Sequence, residues 1–518
     1  MRAAIQDTAR LAQPAPTRGK GQPFAVIDIG SNSVRLVVFA SLSRAPLTVF
    51  NEKVLCRLGN FVPGSRMLSE AAMQRALSTL GRFAHLLKVM QVDHVAAIAT
   101  AAVRDADNGG EFCHRVMEQT GIAVSIVSGQ EEARLAALGV AAANPDVTGI
   151  TGDLGGGSLE LVTLQNGQIG QGVTLNIGTL NIVGELARGS YADTCKLIDN
   201  ALDSVDWLQA ARGADLHAVG GAWRALGRME MARERTVLRI VHGYALQARQ
   251  LDAICEVVAR QSPGSLRWIG GVAEERRQSL PAAALVMSRL IKRSGLGRIV
   301  FSAFGLREGV VFDRLNEHDK QEDPLIVACR EVAERTARFP VHGEALCDWL
   351  EPVFPEEPKV RHRLRLAASL LSDIGWRVHP DYRADHAVEE VLSAPTVGLI
   401  HGERTLLALA VGLRFARERS SQAVQMLAAE VDEEDLTWAR RVGLGLRLAH
   451  TLSGGTVDVL QQSRLRLEND ALVLAVDDAA RTIIGEVVVR RLRRLAKAMN
   501  LAHRVEGFPA DEGAADQS

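Results

Sequence analysis

Two stretches, Asp28-Ile-Gly-Ser-Asn-Ser-Val-Arg-Leu-Val37 and Asp153-Leu-Gly-Gly-Gly-Ser-Leu-Glu-Leu-Val162, align with each other without a gap. They share Asp, Gly, Ser and Leu-Val at the same positions. Each one joins two short apolar runs through a turn of small polar residues and glycine, which is the pattern of a β-hairpin. The chain therefore carries the same hairpin twice, and this predicts two homologous halves.

A second pair of segments suggests the same division. The apolar run His94–Thr100 leads to Arg104, and the run Arg298–Ser302 leads to Arg307. We predict that these two segments are equivalent in the two halves. Amphipathic helical stretches, such as residues 69–90 with Ser69 as N-cap, alternate with the strands, so the fold class is α/β. Two lobes should face each other across a cleft that contains both Asp-x-Gly turns.

The predicted secondary structure changes along the chain. After Asp323 it becomes mostly helical, and residues 464–476 predict two strands followed by a helix that ends near Met499. We expect six segments: a flexible tail (1–20), a first lobe (21–144), a second lobe (145–317), a mostly helical domain (318–460), a small α+β C-terminal domain (461–506) and a second tail (507–518).

Composition sets the limits of function. The 518 residues are 47% hydrophobic and 23% charged, with a formal net charge of -1, so a polyanionic ligand would need a locally positive cleft. The six cysteines form no CxxC pair, which is typical of reduced thiols in a cytoplasm. No signal peptide or membrane-spanning run is evident. We expect a cytoplasmic protein with no membrane or nucleic-acid partner.

The two turns have the chemistry of a phosphate site. Backbone N–H groups can approach an anion closely where the residues carry little or no side chain. This predicts phosphate-binding turns at Gly30, Ser31, Asn32, Ser33, Gly156, Gly157 and Ser158. A carboxylate beside a phosphate needs a cation between them, so Asp153 and Glu160 predict a Mg2+ site. The alternative is that Gly-Gly-Gly is only a flexible hairpin tip.

Arg104 and two glutamates are the further candidates. Arg104 follows the end of a strand, where open α/β sheets bind ligands, and could bind a phosphate. The alternative is an arginine on the solvated surface. Ser128 or Gly129 should cap a helix whose first turn contains Glu131 and Glu132. Neighbouring helical residues point about 100° apart, so one glutamate can serve the cap while the other faces the cleft. The residues alone do not say which.

These motifs, together with Leu306-Arg-Glu-Gly309, resemble the exopolyphosphatase and guanosine-pentaphosphate phosphohydrolase (Ppx/GppA) family. That family belongs to the actin, sugar kinase and heat-shock chaperone ATPase superfamily, so the resemblance implies two actin-like (ribonuclease H-like) lobes and a homodimer. It also implies roles: Glu132 as the base that activates water, Arg104 as the phosphate-gripping arginine, and Asp153 and Glu160 as the magnesium carboxylates.

The chain departs from the family pattern in places. Arg35 replaces a histidine of a better-known member, and Gly220-Gly-Ala-Trp-Arg224 replaces a turn of small residues. The helical domain resembles HD phosphohydrolases, but its central dyad is Ser372-Asp373. Although His379, His386 and His401 remain, we expect a degenerate metal motif there.

The expected function is that of an exopolyphosphatase, a phosphoric anhydride hydrolase acting on the terminal phosphate of inorganic polyphosphate with Mg2+. One alternative is a guanosine-pentaphosphate 5'-phosphohydrolase, which would link the protein to the stringent response. Others are an ATP-binding kinase of the actin fold and a non-catalytic sensor.

Overall fold

The computed structural model describes residues 21–508 except 63–64, 269, 271, 337, 340–341 and 395–396. The expected N-terminal tail (1–20) and all but the first two residues of the expected C-terminal tail (507–518) lie outside the described residues. Within that part of the chain, all six cysteines carry free thiols, as expected. No described helix combines the length and the apolar character needed to cross a bilayer.

The described strands are β1 (Phe24–Ile29), β2 (Val34–Phe39), β3 (Thr48–Val54), β4 (His94–Ala99), β5 (Val124–Ile126), β6 (Gly149–Leu154), β7 (Leu159–Gln165), β8 (Gln168–Leu175), β9 (Asp215–Val219), β10 (Ala245–Gln247), β11 (Arg298–Phe301), β12 (Ser463–Glu468), β13 (Ala471–Asp477) and β14 (Ala502–Phe508). The described α-helices are α1 (Glu70–Val89), α2 (Ala101–Arg104), α3 (Gly109–Thr120), α4 (Gly129–Ala143), α5 (Thr179–Arg188), α6 (Tyr191–Asp203), α7 (Gly221–Glu234), α8 (Ala248–Val258), α9 (Leu280–Ser294), α10 (Leu306–Asp313), α11 (Glu317–Gln321), α12 (Pro324–Thr336), α13 (Gly343–Trp349), α14 (Lys359–Leu370), α15 (Arg383–Ser393), α16 (His401–Phe415), α17 (Gln422–Ala428), α18 (Glu433–Ser453), α19 (Val457–Gln461) and α20 (Glu486–Ala498).

The chain divides into two compact units. One extends to Met229 and resumes over Ala245–Gln321; the other comprises Glu230–Tyr244 and the chain from Glu322 onward. The first unit contains two mixed sheets, with strand orders β3-β2-β1-β4-β5 and β10-β11-β9-β6-β7-β8. The α/β class and the actin-like lobes are confirmed, whereas the exact domain boundaries stay a prediction.

Both predicted hairpins are present and have the same register. β1 and β2 are antiparallel and place Asp28 opposite Arg35, while β6 and β7 place Asp153 opposite Glu160. Directly opposite residues of an antiparallel pair lie on the same face of the sheet. The sequence alignment of the two hairpins is therefore also a structural alignment.

The second predicted correspondence is wrong by one strand. β4 pairs in parallel with β1, and its counterpart beside β6 is β9, whereas β11 lies beside β9 as β5 lies beside β4. The equivalent of Arg104 is therefore Arg224, since each follows the last residue of its strand by five positions. Arg307 is instead equivalent to Glu132, six positions after β11 and β5 respectively. The motif of a strand followed by an arginine does not determine the position of that strand in the sheet.

Two equivalent helices, α4 and α10, pack directly against each other between the lobes. A Cβ atom at Gly309 would lie only 1.8 Å from the carbonyl oxygen of Leu135, and one at Gly139 only 2.1 Å from that of Gly305. Only glycine permits this approach of the two backbones. The close packing fixes the starts of both helices, where Glu132 and Arg307 lie, relative to each other.

The second unit is mostly helical, with a buried core that includes Leu407, Leu409, Val442 and Leu446. Its three-stranded sheet has the order β12-β13-β14. The predicted pair β12 and β13 is antiparallel, and β14, which the sequence did not predict, is parallel to β13. A short strand that pairs with a distant partner has only a weak local signal.

Candidate active site

A cleft of about 180 Å³ lies between the two sheets of the first unit. Both predicted turns line it. Its charged lining residues are four carboxylates and five cations: Asp28, Glu132, Asp153, Glu160, Arg35, Lys53, Arg224, Arg276 and Arg307. Of the predicted site residues, Arg104 alone is not among the described residues that line the cleft.

The first turn is held by its carbonyl groups. Gly30 N donates to Ser33 O (3.0 Å), while Ser31 O accepts from Gly59 N (2.7 Å) and Asn32 O accepts from Arg57 N (3.0 Å). The C=O and the following N–H of a planar trans peptide point in opposite directions. The N–H groups of Asn32 and Ser33 therefore point away from residues 57–59, and both residues line the cleft.

The second turn repeats this arrangement. Gly155 N donates to Ser158 O (3.0 Å), and the carbonyls of Gly155, Gly156 and Gly157 accept from Thr179 N (3.0 Å), Leu180 N (2.8 Å) and Asn181 Nδ2 (2.7 Å). By the same peptide geometry, the N–H groups of residues 156–158 point away from the start of α5. The Gly-Gly-Gly segment is thus bonded in place and is not a loose hairpin tip.

The carboxylates of the cleft are buried and repel each other. Burial raises the pKa of Asp153 to about 6, although Arg224 opposes the change. Burial also raises the pKa of Glu160 well above its usual range, with further contributions from Glu132 and Asp153. Glu160 is 2% exposed, and its Oε1 has no hydrogen-bond partner among the described residues.

This set of oxygen atoms fits a divalent cation. A buried, unpartnered carboxylate oxygen beside a second carboxylate favours a positive charge between them. Across the described residues, no group of three or more His, Cys, Asp or Glu side chains could hold a metal by itself. Mg2+ typically takes one or two carboxylates and completes its shell with water and substrate phosphates, so Asp153 and Glu160 suit it.

Arg104 and Glu132 form an ion pair. Ser128 caps α4 by accepting a hydrogen bond from Glu131 N (3.1 Å). The Glu131 side chain pairs with Arg134, whereas Glu132 is buried and lines the cleft. Arg104 Nη1 donates to Glu132 Oε2 (2.7 Å). Burial nevertheless raises the pKa of Glu132 to about 7, because the bond to Arg104 offsets only part of the desolvation.

Cations from both lobes also line the cleft. Arg224 Nη1 donates to the carbonyl oxygen of Ser302 (3.1 Å), and burial lowers the pKa of Arg224 to about 10. Burial likewise lowers the pKa of Arg35 to about 10 and that of Lys53 to about 8. Lys53 and Arg276 also line the cleft and were not predicted as site residues from the sequence. Lys53 reaches the cleft through the pairing of β3 with β2, and neither residue has a local signal in the sequence.

In the second unit, the Ser372-Asp373 dyad is neutralised by arginines. Asp373 accepts hydrogen bonds from Arg338 Nη2 (2.7 Å) and Arg414 Nη2 (3.3 Å), and Ser372 Oγ bonds His450 Nε2 (2.8 Å). Two guanidinium groups thus supply the positive charge that a metal would bring.

The three histidines left by the sequence analysis have other partners. His379 and His386 lie beside the carboxylates of Asp381 and Glu390, and His401 Nε2 bonds a backbone carbonyl. None of these partners is the dyad.

Comparisons with known proteins agree with this architecture. Residues 21–318 match the Ppx/GppA phosphatase family, and residues 325–504 match the family described as exopolyphosphatase, C-terminal. A solved exopolyphosphatase from Cytophaga hutchinsonii has 26% sequence identity and a TM-score of 0.51, and the likeness covers 56% of this chain and 97% of that one.

Two relatives are similar over most of their length. Retrograde regulation protein 2 of Saccharomyces cerevisiae is 24% identical, with 90% of this chain and 88% of that protein covered. The guanosine-5'-triphosphate,3'-diphosphate pyrophosphatase of Aeromonas hydrophila is also 24% identical, with 88% and 92% covered. Because the match over residues 21–318 takes in more than half of the 518 residues, this chain belongs to the Ppx/GppA phosphatase family.

Proposed function

We propose that the protein is an exopolyphosphatase, which hydrolyses the terminal phosphoryl group of inorganic polyphosphate with water activated by Glu132. One observation carries the proposal: two turns with inward backbone N–H groups and a cluster of buried carboxylates line the same small cleft. N–H groups of this kind bind phosphate oxygens. A buried carboxylate beside a bound phosphoryl group can remove a proton from the attacking water.

Glu132 is suited to the role of the base. A general base works best when its pKa is near the working pH, and burial raises the pKa of Glu132 to about 7. Its partner Arg104 holds one carboxylate oxygen at 2.7 Å and so fixes the direction of the group. We therefore assign Arg104, expected from the sequence to grip a phosphate, to orienting Glu132.

The substrate is held by the two turns and by the cations of the cleft. The N–H groups of Asn32, Ser33 and residues 156–158 would bind the terminal phosphoryl group. Asp153 and Glu160 would hold Mg2+, which supplies neutralising charge to the phosphate oxygens when it is bound. Phosphoryl transfer needs little else from a protein, because positioning and charge stabilisation account for most of the catalysis.

The charge of the cleft favours a chain of phosphates over a single ester. Five cationic side chains line it, more than one terminal phosphate can contact. A second candidate is the 5'-phosphohydrolysis of guanosine pentaphosphate, favoured by the similarity to the guanosine-5'-triphosphate,3'-diphosphate pyrophosphatase of Aeromonas hydrophila. That reaction would use the same turns and the same base.

Phosphate release tests the proposal. Purified protein is given long-chain polyphosphate, tripolyphosphate, guanosine pentaphosphate or ATP, each with Mg2+ and with EDTA. We expect the fastest release from long-chain polyphosphate, only with Mg2+, and about 10²- to 10⁴-fold slower release by Glu132→Gln. Release from guanosine pentaphosphate alone would select the second candidate. Tight binding of polyphosphate without release from any substrate would make the protein a sensor.

A further inference from the structure

Three charged residues form a row across the first sheet. Asp28 on β1 is in register with Arg35 on β2, and Arg35 is in register with Lys53 on β3. Residues directly opposite each other share a face of the sheet, and all three line the cleft. Adjacent strands are about 4.8 Å apart, so the backbone of Lys53 is about 10 Å from that of Asp28. Lys53 therefore lines the cleft two strands away from Asp28.

Arg276 lines the same cleft from the second lobe. It ends a short helical turn, Glu274–Arg276, and its guanidinium lies against Gly221. A Cβ atom on Gly221 would come within 2.2 Å of Arg276 Nη2, so a larger residue there would displace the guanidinium. Arg276 thus lies beside the turn that begins α7.

Lys53 and Arg276 are cations that face the same space from opposite lobes. Within the described part of the chain, neither side chain forms an ion pair. After burial, Arg276 is the largest influence that lowers the pKa of Lys53, and Glu275 only partly opposes it. Two half-buried like charges repel each other, and an anion between them would replace this repulsion with two attractive contacts.

We propose that Lys53 and Arg276 form a clamp for a phosphate group of the substrate chain beyond the one that is attacked. The clamp makes the cleft specific for linear condensed phosphates of more than two groups. This inference rests on the proposed function and adds the residues that determine the preference for substrate length. The two contacts come from different lobes, so a long chain bridges the cleft and a short one does not.

The test compares substrates of different length. We would measure kcat and KM on pyrophosphate, tripolyphosphate and long-chain polyphosphate for the wild type, Lys53→Gln and Arg276→Gln. Removing one charged contact should lower kcat/KM on the long chain about 10- to 100-fold, mostly through KM, with little change on pyrophosphate. Lys53→Arg keeps the charge and should restore most of the loss. Lys88→Gln, at the exposed end of α1, is the matched control.

Two results would overturn the clamp. An equal loss on every substrate would mean that the two cations act through the general field of the cleft, and unchanged KM on long chains would mean that they do not contact substrate. If the wild type releases no phosphate at all, the proposed function fails but the clamp can still be judged by calorimetric binding of pyrophosphate and long-chain polyphosphate. A loss of affinity confined to the longer chain in both variants would support it, and equal affinities would reject it.

Discussion

Replacing Arg104 with methionine separates two roles for this arginine. In the structure Arg104 contacts Glu132, with an Nη1–Oε2 distance of 2.7 Å, and the side chains of the pair are 18% and 11% exposed. If Arg104 acts through Glu132, its loss leaves a buried carboxylate without a cationic partner. Such a group escapes the cost of burial by binding a proton, so its pKa rises further.

The size of this effect follows from the contact. A hydrogen bond to a charged group contributes about 1.5–3 kcal/mol, and one pKa unit corresponds to about 1.4 kcal/mol, so the pKa should rise by about one to two units. The base must be ionised, so activity rises with pH through the pKa of Glu132. In Arg104→Met the acidic limb of the profile should move from near pH 7 to about pH 8–9. Activity lost at neutral pH should return in alkaline buffer.

The assay is the pH dependence of kcat/KM for phosphate release at saturating Mg2+, between about pH 5.5 and 9.5. Glu131→Gln is the control, because Glu131 pairs with the exposed Arg134 and should leave the profile unchanged. Thermal melting of each variant accounts for any unfolded fraction. A loss of the same size at every pH in Arg104→Met would refute the reasoning and return Arg104 to direct contact with the phosphate.

Three further outcomes are expected. Folded Asp153 keeps a proton that the unfolded chain releases, so without divalent cations stability should fall as pH rises from about 4 to 6. Mg2+ should therefore raise the melting temperature more at pH 8 than at pH 5. An equal rise in melting temperature at both pH values would contradict the metal site. Gly178→Ala places a Cβ 2.3 Å from the backbone of the second turn and should cost about 1–3 kcal/mol by chemical denaturation, whereas Gly110→Ala, with open space around it, should not destabilise. Asp373→Ala leaves the buried Arg414 without its carboxylate and should cost about 3–5 kcal/mol, while bound metal measured by atomic emission should not change.

The parts of the fold that the sequence predicted correctly have local signals. The two hairpins follow from apolar runs joined by turns of small polar residues and glycine, and their register follows from the gapless alignment. The start of α1 follows from Ser69, and that of α4 from Ser128-Gly129, where the structure shows Ser128 to be the cap; both serine side chains accept hydrogen bonds from the first turns of their helices. In each case the residues that decide the structure are within a few positions of each other.

The parts that the sequence could not provide depend on distant segments. Arg104 and Glu132 are 28 positions apart, and their contact requires β4 and β5 to be neighbours in the sheet. Lys53 enters the cleft only because β3 pairs with β2 in one register. The roles of the site residues, the Mg2+ and the homodimer stay predictions, since they depend on contacts with molecules other than this chain.

The corrected correspondence between the lobes explains why the cleft is asymmetric. Glu132 at the start of α4 and Arg307 at the start of α10 occupy equivalent positions on helices that pack against each other. The same position in the two halves is thus a carboxylate in one and a guanidinium in the other, and both residues line the cleft. In-line displacement at phosphorus requires a base behind the attacking water and positive charge near the departing oxygen on the opposite side. Under the proposed function, the pseudo-symmetry of the fold supplies two equivalent positions at the cleft. Glu132 at one of them acts on the attacking water, and Arg307 at the other supplies positive charge.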